Sequence, residues 1–205
     1  MTSQIDRPAF NILYWMEPKS TGIMKKLLLI IDPQNDFING SLPVPGAEEA
    51  MNALPRYIKD HSDEYEYIVV TADQHPRSHC SFKENGGVWR AHCIVNTYGA
   101  DIWAPLSNTL KHYSNKLIFL SKGDNSEKEE YSIFKNDRSA SKLLNIIKSQ
   151  GIEQVDICGI AGDICVADTI RDGISVIYPA KFNILAEFTP SIDGGKTIKV
   201  LIQKL

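Results

Sequence analysis

Polar and apolar residues follow each other along this chain in short blocks with two periods. Five blocks read as strands: Leu27–Ile31, Tyr67–Thr71, Lys116–Leu120, Val155–Ile160 and Asn183–Phe188. Short apolar runs rich in β-branched residues and bounded by turn residues fit the buried strands of a parallel sheet. Between them the spacing turns helical. Ala47–His61 places Met51, Leu54 and Ile58 on one side, with Pro55 as a blemish. Ser139–Gln150 does the same with Leu143, Leu144 and Ile147, and Gly151 closes it as a C-cap. After Asp163, an expected N-cap, residues Ile164, Val166, Ile170 and Ile174 predict a helix that runs through Gly173 to about Tyr178 and stops at Pro179. Gly194–Leu205 reads as a last, short helix. Strands alternating with helices predict an α/β fold: a parallel sheet with helices on both faces, three layers in all, joined by right-handed crossovers.

The regular pattern starts at Met24. Residues 1–23 mix Pro8, Pro18, charges and the aromatics Phe10, Tyr14 and Trp15 without a period. They read as an N-terminal arm with no assigned chemistry, or else translation begins at Met24. Residues 24–205 contain no repeat, low-complexity tract or linker and read as a single domain. A chain of 205 residues can bury roughly 70% of its unfolded surface. With 43% hydrophobic and 23% charged residues the composition is that of a soluble globular protein. A net charge of −3 without a long basic block argues against nucleic acid as a partner. The longest apolar stretch is far too short to cross a membrane. Cys80, Cys93, Cys158 and Cys165 could form two disulfides, but no secretory signal precedes them, so reduced thiols in a cytoplasm are expected.

In a parallel sheet, ligands bind beyond the carboxyl ends of the strands, near the point where strand order reverses. Four predicted strands bring Asp32, Asp73 with His75, Lys122 and Cys165 to that edge, which is the main argument for an enzyme. Cys165 falls where a strand turns into a helix, and the free N–H groups and dipole there favour a thiolate and a developing oxyanion. A cysteine nucleophile needs a proton acceptor, for which Asp32 is the candidate. Lys122 beside them would hold that carboxyl ionised and lower the thiol pKa. Asp73 and His75, two apart at a strand end, point to one side. With His79 and His92 nearby, one carboxylate and two imidazoles suit Zn²⁺, Mn²⁺ or Fe²⁺. His61 and His112 lie in polar, helix-like stretches and read as surface residues. No Cys-x-x-Cys pair exists, which excludes a zinc ribbon, and no glycine-rich phosphate cradle is present. Gly86-Gly87 followed by Trp89 reads as a loop with an aromatic wall, and the acidic run Asp124–Glu130 as a solvated loop.

The segments IIDPQNDFINGSLPVPGA, TADQHPRSHCSF, WRAHC, SKG and GIAGDICV, in that order, resemble the nicotinamidase/pyrazinamidase group of the isochorismatase-like cysteine hydrolases, over about residues 26–195. The resemblance implies an amidase that converts nicotinamide to nicotinate and ammonia, a step of NAD salvage, through a thioester. It implies a triad of Asp32, Lys122 and Cys165, one divalent transition ion (zinc first, then manganese or iron) on Asp73, His75 and His92, and a variable fourth ligand at His79 or Glu84. It also implies an oxyanion hole from the backbone N–H groups of Ala161 and Cys165, a cis peptide between Ile160 and Ala161, and a substrate ring lying among Phe37, Trp89 and Tyr131. The metal would bind the pyridine nitrogen and orient the ring rather than activate the nucleophile. Two departures stand out. Ile164 replaces a histidine that some members carry, and many members have a further strand where this chain stops at Leu205. The sheet edge there is then bare, covered by the N-terminal arm, or covered by another subunit of a homo-oligomer. Rival activities are an amidase of ureido or carbamoyl substrates, a vinyl-ether hydrolase, and a silent binding homologue.

Overall fold

The computed structural model describes Gly22 and residues 24–205; apart from Gly22, the N-terminal arm lies outside the described residues. Leu27 to Ile31 are all completely buried, which a strand achieves only when both of its faces are covered. That strand, β1 (Lys26–Ile31), stands at the centre of a sheet with β2 (Tyr65–Asp73), β3 (Leu117–Lys122), β4 (Gln154–Gly159) and β5 (Lys181–Ile184). All pairings are parallel and the order is β3-β2-β1-β4-β5.

The helices are α1 (Asn35–Ile38), α2 (Ala47–His61), α3 (Ala104–Leu110), α4 (Asp137–Gln150), α5 (Ala167–Gly173) and α6 (Lys196–Ile202). Side chains alternate across a strand, so β1 feeds two cores. Leu28 and Ile30 pack with Met51, Leu54 and Ile58 of α2 and Leu106 of α3. Leu27, Leu29 and Ile31 pack with Leu143 and Ile147 of α4, Ile170 of α5 and Ile198 of α6. The predicted three-layer architecture is the observed one. Among the described residues, no helix is long and apolar enough to cross a membrane.

Four elements differ from the sequence expectation. The helix expected to reach Tyr178 ends at Gly173; beyond it Ile174 and Tyr178 are exposed, and the Tyr178–Pro179 peptide is cis. The last strand covers Lys181–Ile184 instead of Asn183–Phe188. Phe188 instead belongs to a 3₁₀ turn and packs its ring 5.0 Å from that of Tyr57, so its apolarity serves the α2 side of the core. Two short helices, α1 and α3, were not expected. Each is too brief to show a period, and Pro105 in the first turn of α3 suits a helix start.

Strand order reverses between β1 and β4, and this is where the carboxyl ends open a crevice. Ile31 pairs with Gly159 in that last register position. Gly159 has φ +122°, and a Cβ there would lie 2.0 Å from the Ile31 carbonyl oxygen. Only glycine allows β4 to end against β1, which sets the Ile160–Cys165 turn beside Asp32. Gly159→Ala is therefore expected to cost on the order of 2–3 kcal/mol, measured as a lower urea midpoint at unchanged m-value; wild-type stability in that variant would refute the close approach.

Candidate active site

Strand register decides which charged groups meet. Asp73 is the partner of Lys122 across the β2–β3 ladder, and β1 delivers Asp32, which takes a left-handed conformation at φ +47° just past its last residue. Lys122, completely buried, lies 2.8 Å from Asp32 Oδ2 and donates to Asp73 Oδ1 at 2.6 Å. Its Nζ is also 3.7 Å from Cys165 Sγ. Thr71 Oγ1 donates to Asp32 Oδ1 at 2.7 Å, whereas no donor is aligned on Asp32 Oδ2 despite its ion pair. That oxygen is open to the proton of Cys165, whose Sγ lies in one cluster with carboxylate oxygens of Asp32 and Asp73, all within 4.8 Å of one another.

The two carboxyls are driven apart electrostatically. Burial raises the Asp32 pKa, which Lys122 only partly offsets, and the negative Asp73 raises it further. Burial acts on Asp73 too, but Lys122 and His75 together hold it well below the usual carboxylate range. Asp73 thus keeps its charge while Asp32 is poised to carry a proton. Burial also pushes the Cys165 thiol well up, against the opposing pull of Lys122. Lys122 acts in the direction expected from the sequence, and burial at 5% exposure acts against it.

Cys165 occupies a π-helical turn, Gly162–Val166, ahead of α5. The Ala161 carbonyl accepts from both Ile164 N–H and Val166 N–H at 3.1 Å, widening the turn by one residue; such turns recur at functional sites. The Ile160–Ala161 peptide is cis. Asp163 does not cap the helix as expected. Its carboxylate accepts from Ile192 N–H and Asp193 N–H, both at 3.0 Å, and ties down the segment that carries Ile192.

Asp73, His75 and His92 bring one donor atom each within 4.8 Å of one another. His75 Nδ1–H donates to the Gly123 carbonyl at 2.8 Å and His92 Nδ1–H to the Arg90 carbonyl at 2.7 Å. Both rings therefore turn Nε2 to the shared space, the orientation a metal ligand needs. His92 is delivered by the pairing of His75 with Ile94 and by Asp36, whose carboxylate accepts from Cys93 N–H and Ser41 N–H. Burial lowers the His92 pKa. A second triplet, Asp32, Asp73 and Cys165, is equally close, but the Lys122 ammonium already supplies the cation there. Neither candidate fourth ligand joins the set. His79 bonds through Nε2 to the Lys128 carbonyl and through Nδ1 to Ser81, and burial, aided by His75, pushes it down to about 4. Glu84 is exposed on a 3₁₀ turn.

A largely apolar cavity joins these groups. Phe37, Leu42, Val44, Trp89, Tyr131, Ala161, Ile164 and Ile192 line it, with Asp73, His92, Glu129 and Cys165. The structure thus brings Phe37, Trp89 and Tyr131 together on its wall, and Trp89 Nε1–H donates to Tyr131 Oη at 2.8 Å. Sequence reasoning missed the inward part of the acidic run: Glu129 faces the cavity and Glu130 is 4% exposed. A charged heptapeptide gives no periodicity that separates these two from their solvated neighbours. It also missed Gln34, which donates to the carbonyls of Asp73 and Ala100 and accepts from Asp73 N–H.

A sheet-edge crevice holding a buried cysteine, a lysine bridging two aspartates, and an Asp-His-His cluster defines a hydrolase-type site on a doubly wound sheet. The isochorismatase domain model matches residues 26–175, and the chain belongs to the isochorismatase family. It is 31% identical to the nicotinamidase/pyrazinamidase of Mycobacterium tuberculosis over 181 residues, covering 86% of this chain and 92% of that one. It is 28% identical to the nicotinamidase of Saccharomyces cerevisiae over 209 residues, covering 88% and 95% respectively. The crystal structure of the pyrazinamidase of Pyrococcus horikoshii in complex with zinc superposes with a TM-score of 0.72 at 29% identity, covering 87% of this chain and 93% of that one.

Removing the lysine charge gives a sharp electrostatic test. Lys122→Met leaves Asp32 and Asp73 buried without their cation, and is expected to cost roughly 3–5 kcal/mol near pH 7. Both carboxyls then bind protons more tightly folded than unfolded, so the deficit should shrink as pH falls from 7 to 5. Urea titrations at the two pH values measure this; a deficit that grows on acidification would contradict it.

Proposed function

We propose that this chain hydrolyses nicotinamide, and the related pyrazinamide, to the carboxylate and ammonia through a thioester on Cys165. The observation that carries the reading is the Lys122 ammonium in contact with Asp32, Asp73 and Cys165, behind a cavity that Asp73, Cys165 and His92 line. The amide substrate is supported by the relatives named above. Residues 24–205 act as one catalytic domain, since every group in the scheme comes from them, and the four unpaired thiols suit a reducing cytoplasm.

Asp73, His75 and His92 fit a divalent transition ion, zinc by preference and manganese or iron as alternatives. These three residues would hold the ion, which would supply a Lewis acid toward the ring nitrogen of the amide and so help orient the ring. Phe37, Trp89 and Tyr131 flank the ring, and Ile164 keeps that side of the pocket apolar. Cys165 Sγ attacks the carboxamide carbon as its proton moves to Asp32 Oδ2. The electron pair driven onto the carbonyl oxygen is held by the N–H groups of Ala161 and Cys165, which contribute about 3 kcal/mol per donor in other enzymes. As the C–N bond breaks, Asp32 gives the proton to the leaving nitrogen, and ammonia departs from a thioester. Water then loses a proton to Asp32 and attacks the thioester carbon; the C–S bond breaks, the sulfur recovers the proton, and the acid leaves. Lys122 stays protonated throughout, its pKa held well up by both aspartates against the opposing effect of burial.

Ammonia release from nicotinamide, pyrazinamide and benzamide tests the scheme. Cys165→Ala should lose at least about 10⁴-fold in kcat, while Cys80→Ser should keep near wild-type turnover. Chelation should abolish nicotinamide hydrolysis, with recovery on adding back zinc. Benzamide, which lacks the ring nitrogen, should be a poor substrate with or without metal. Turnover above a trace by Cys165→Ala would sink the covalent mechanism, and benzamide matching nicotinamide would remove the orienting role given to Asp73, His75 and His92.

A further inference from the structure

Between the catalytic lysine and the acidic run lies one turn whose conformation nothing in its own sequence enforces. Gly123 has φ +70°, and a Cβ on it would fall 2.4 Å from His75 Cε1. Glycine is thus required for the imidazole to approach, yet glycine is also the residue with the least intrinsic preference for one conformation. The turn carries two jobs at once. The Gly123 carbonyl accepts His75 Nδ1–H at 2.8 Å, and the peptide on its other side belongs to Lys122, whose carbonyl accepts Gln74 N–H at 2.9 Å.

A buried carboxylate grips this turn. Glu130 Oε2 accepts Gly123 N–H at 2.9 Å and Asn136 Nδ2–H at 2.9 Å, while Oε1 pairs with Lys128 Nζ at 3.0 Å. Asn136 is itself fixed, because its Oδ1 caps α4 by accepting Ser139 N–H at 3.1 Å. The position of Gly123 is therefore referenced to the start of α4 through charge-assisted bonds, which are stronger than neutral ones. We infer that Glu130 is a positioning residue: by clamping Gly123 it fixes the carbonyl that sets the tautomer and direction of His75, and so sets the affinity of the Asp73–His75–His92 cluster for a divalent ion.

This rests on the metal reading above, and the test separates the two. Zinc dissociation constants are measured by chelator competition, without any amide, for wild type, Glu130→Ala and Glu130→Gln, together with the thermal midpoint of each metal-free protein. Groups that orient a metal-bound histidine typically change metal affinity by about 10–100-fold. Glu130→Ala should lose that much. Glu130→Gln, which keeps one acceptor oxygen for Gly123 N–H, should lose less, and it serves alone if the alanine variant does not fold. Zinc affinity of both variants within twofold of wild type, whatever their midpoints, would overturn the inference and leave Glu130 a loop anchor. Wild-type protein that binds no zinc would overturn the metal reading itself, and this inference with it.

Discussion

The site is organised around a lysine ammonium removed from water. Burying such a group carries an effective penalty of several kcal/mol, and Lys122 offsets it with carboxylate oxygens at 2.6 and 2.8 Å. Those two oxygens come from different strands. β1 must end where it does to present Asp32, and the β2–β3 register must hold Asp73 opposite the lysine. A shift of one residue in that ladder would turn Lys122 to the other face of the sheet and leave two buried carboxylates unpaired. The charge requirement therefore constrains three strands at once, and Cys165 then finds both a cation and a proton acceptor at hand.

The histidines are positioned by a different means. His75 and His92 each give a ring proton to a backbone carbonyl, so loop conformation, not strand register, aims them. Those loops are in turn held by groups that do not line the cavity: the Asp36 carboxylate for the segment around His92, the Ser81 hydroxyl and the Lys128 carbonyl around His79, and the Glu130 carboxylate for Gly123. His79 is a case where a histidine of suitable spacing is consumed by this scaffolding, with both nitrogens engaged.

How far the sequence discloses this depends on the kind of order involved. Leu27–Ile31 and the Met51, Leu54, Ile58 face are governed by burial, which periodicity records directly, so the sheet, its two cores and the helix over Ala47–His61 were legible. The chemical residues at the strand ends were legible for the same reason, because the strands point them to one edge. Phe188 was misread because an apolar residue in a 3₁₀ turn looks the same, in sequence, as one in a strand. Asp163 was misread because an acidic residue before a helix can as well bind a neighbouring loop's N–H groups. Glu129 and Glu130 stayed invisible, since their burial is set by contacts with Gly123, Asn136 and the cavity, far outside any local window. The upward push of burial on the Cys165 thiol was also hidden: sequence announces the lysine charge but not the dryness around it.

The strand order also has a consequence for how the molecule comes into being. Among the described residues β1 is the first strand, yet its β4 neighbour follows so late that the Lys25 N–H contact with the Glu153 carboxylate spans 128 residues. On a growing chain β1 can pair with β2 early, but its other flank stays unpaired until most of the protein has been synthesised. Pairings of such long range make folding slow and leave an open strand exposed meanwhile. Asp32, Lys122 and Cys165 can converge only after that last closure, so the chemistry switches on at the end of folding and a nascent fragment has none of it.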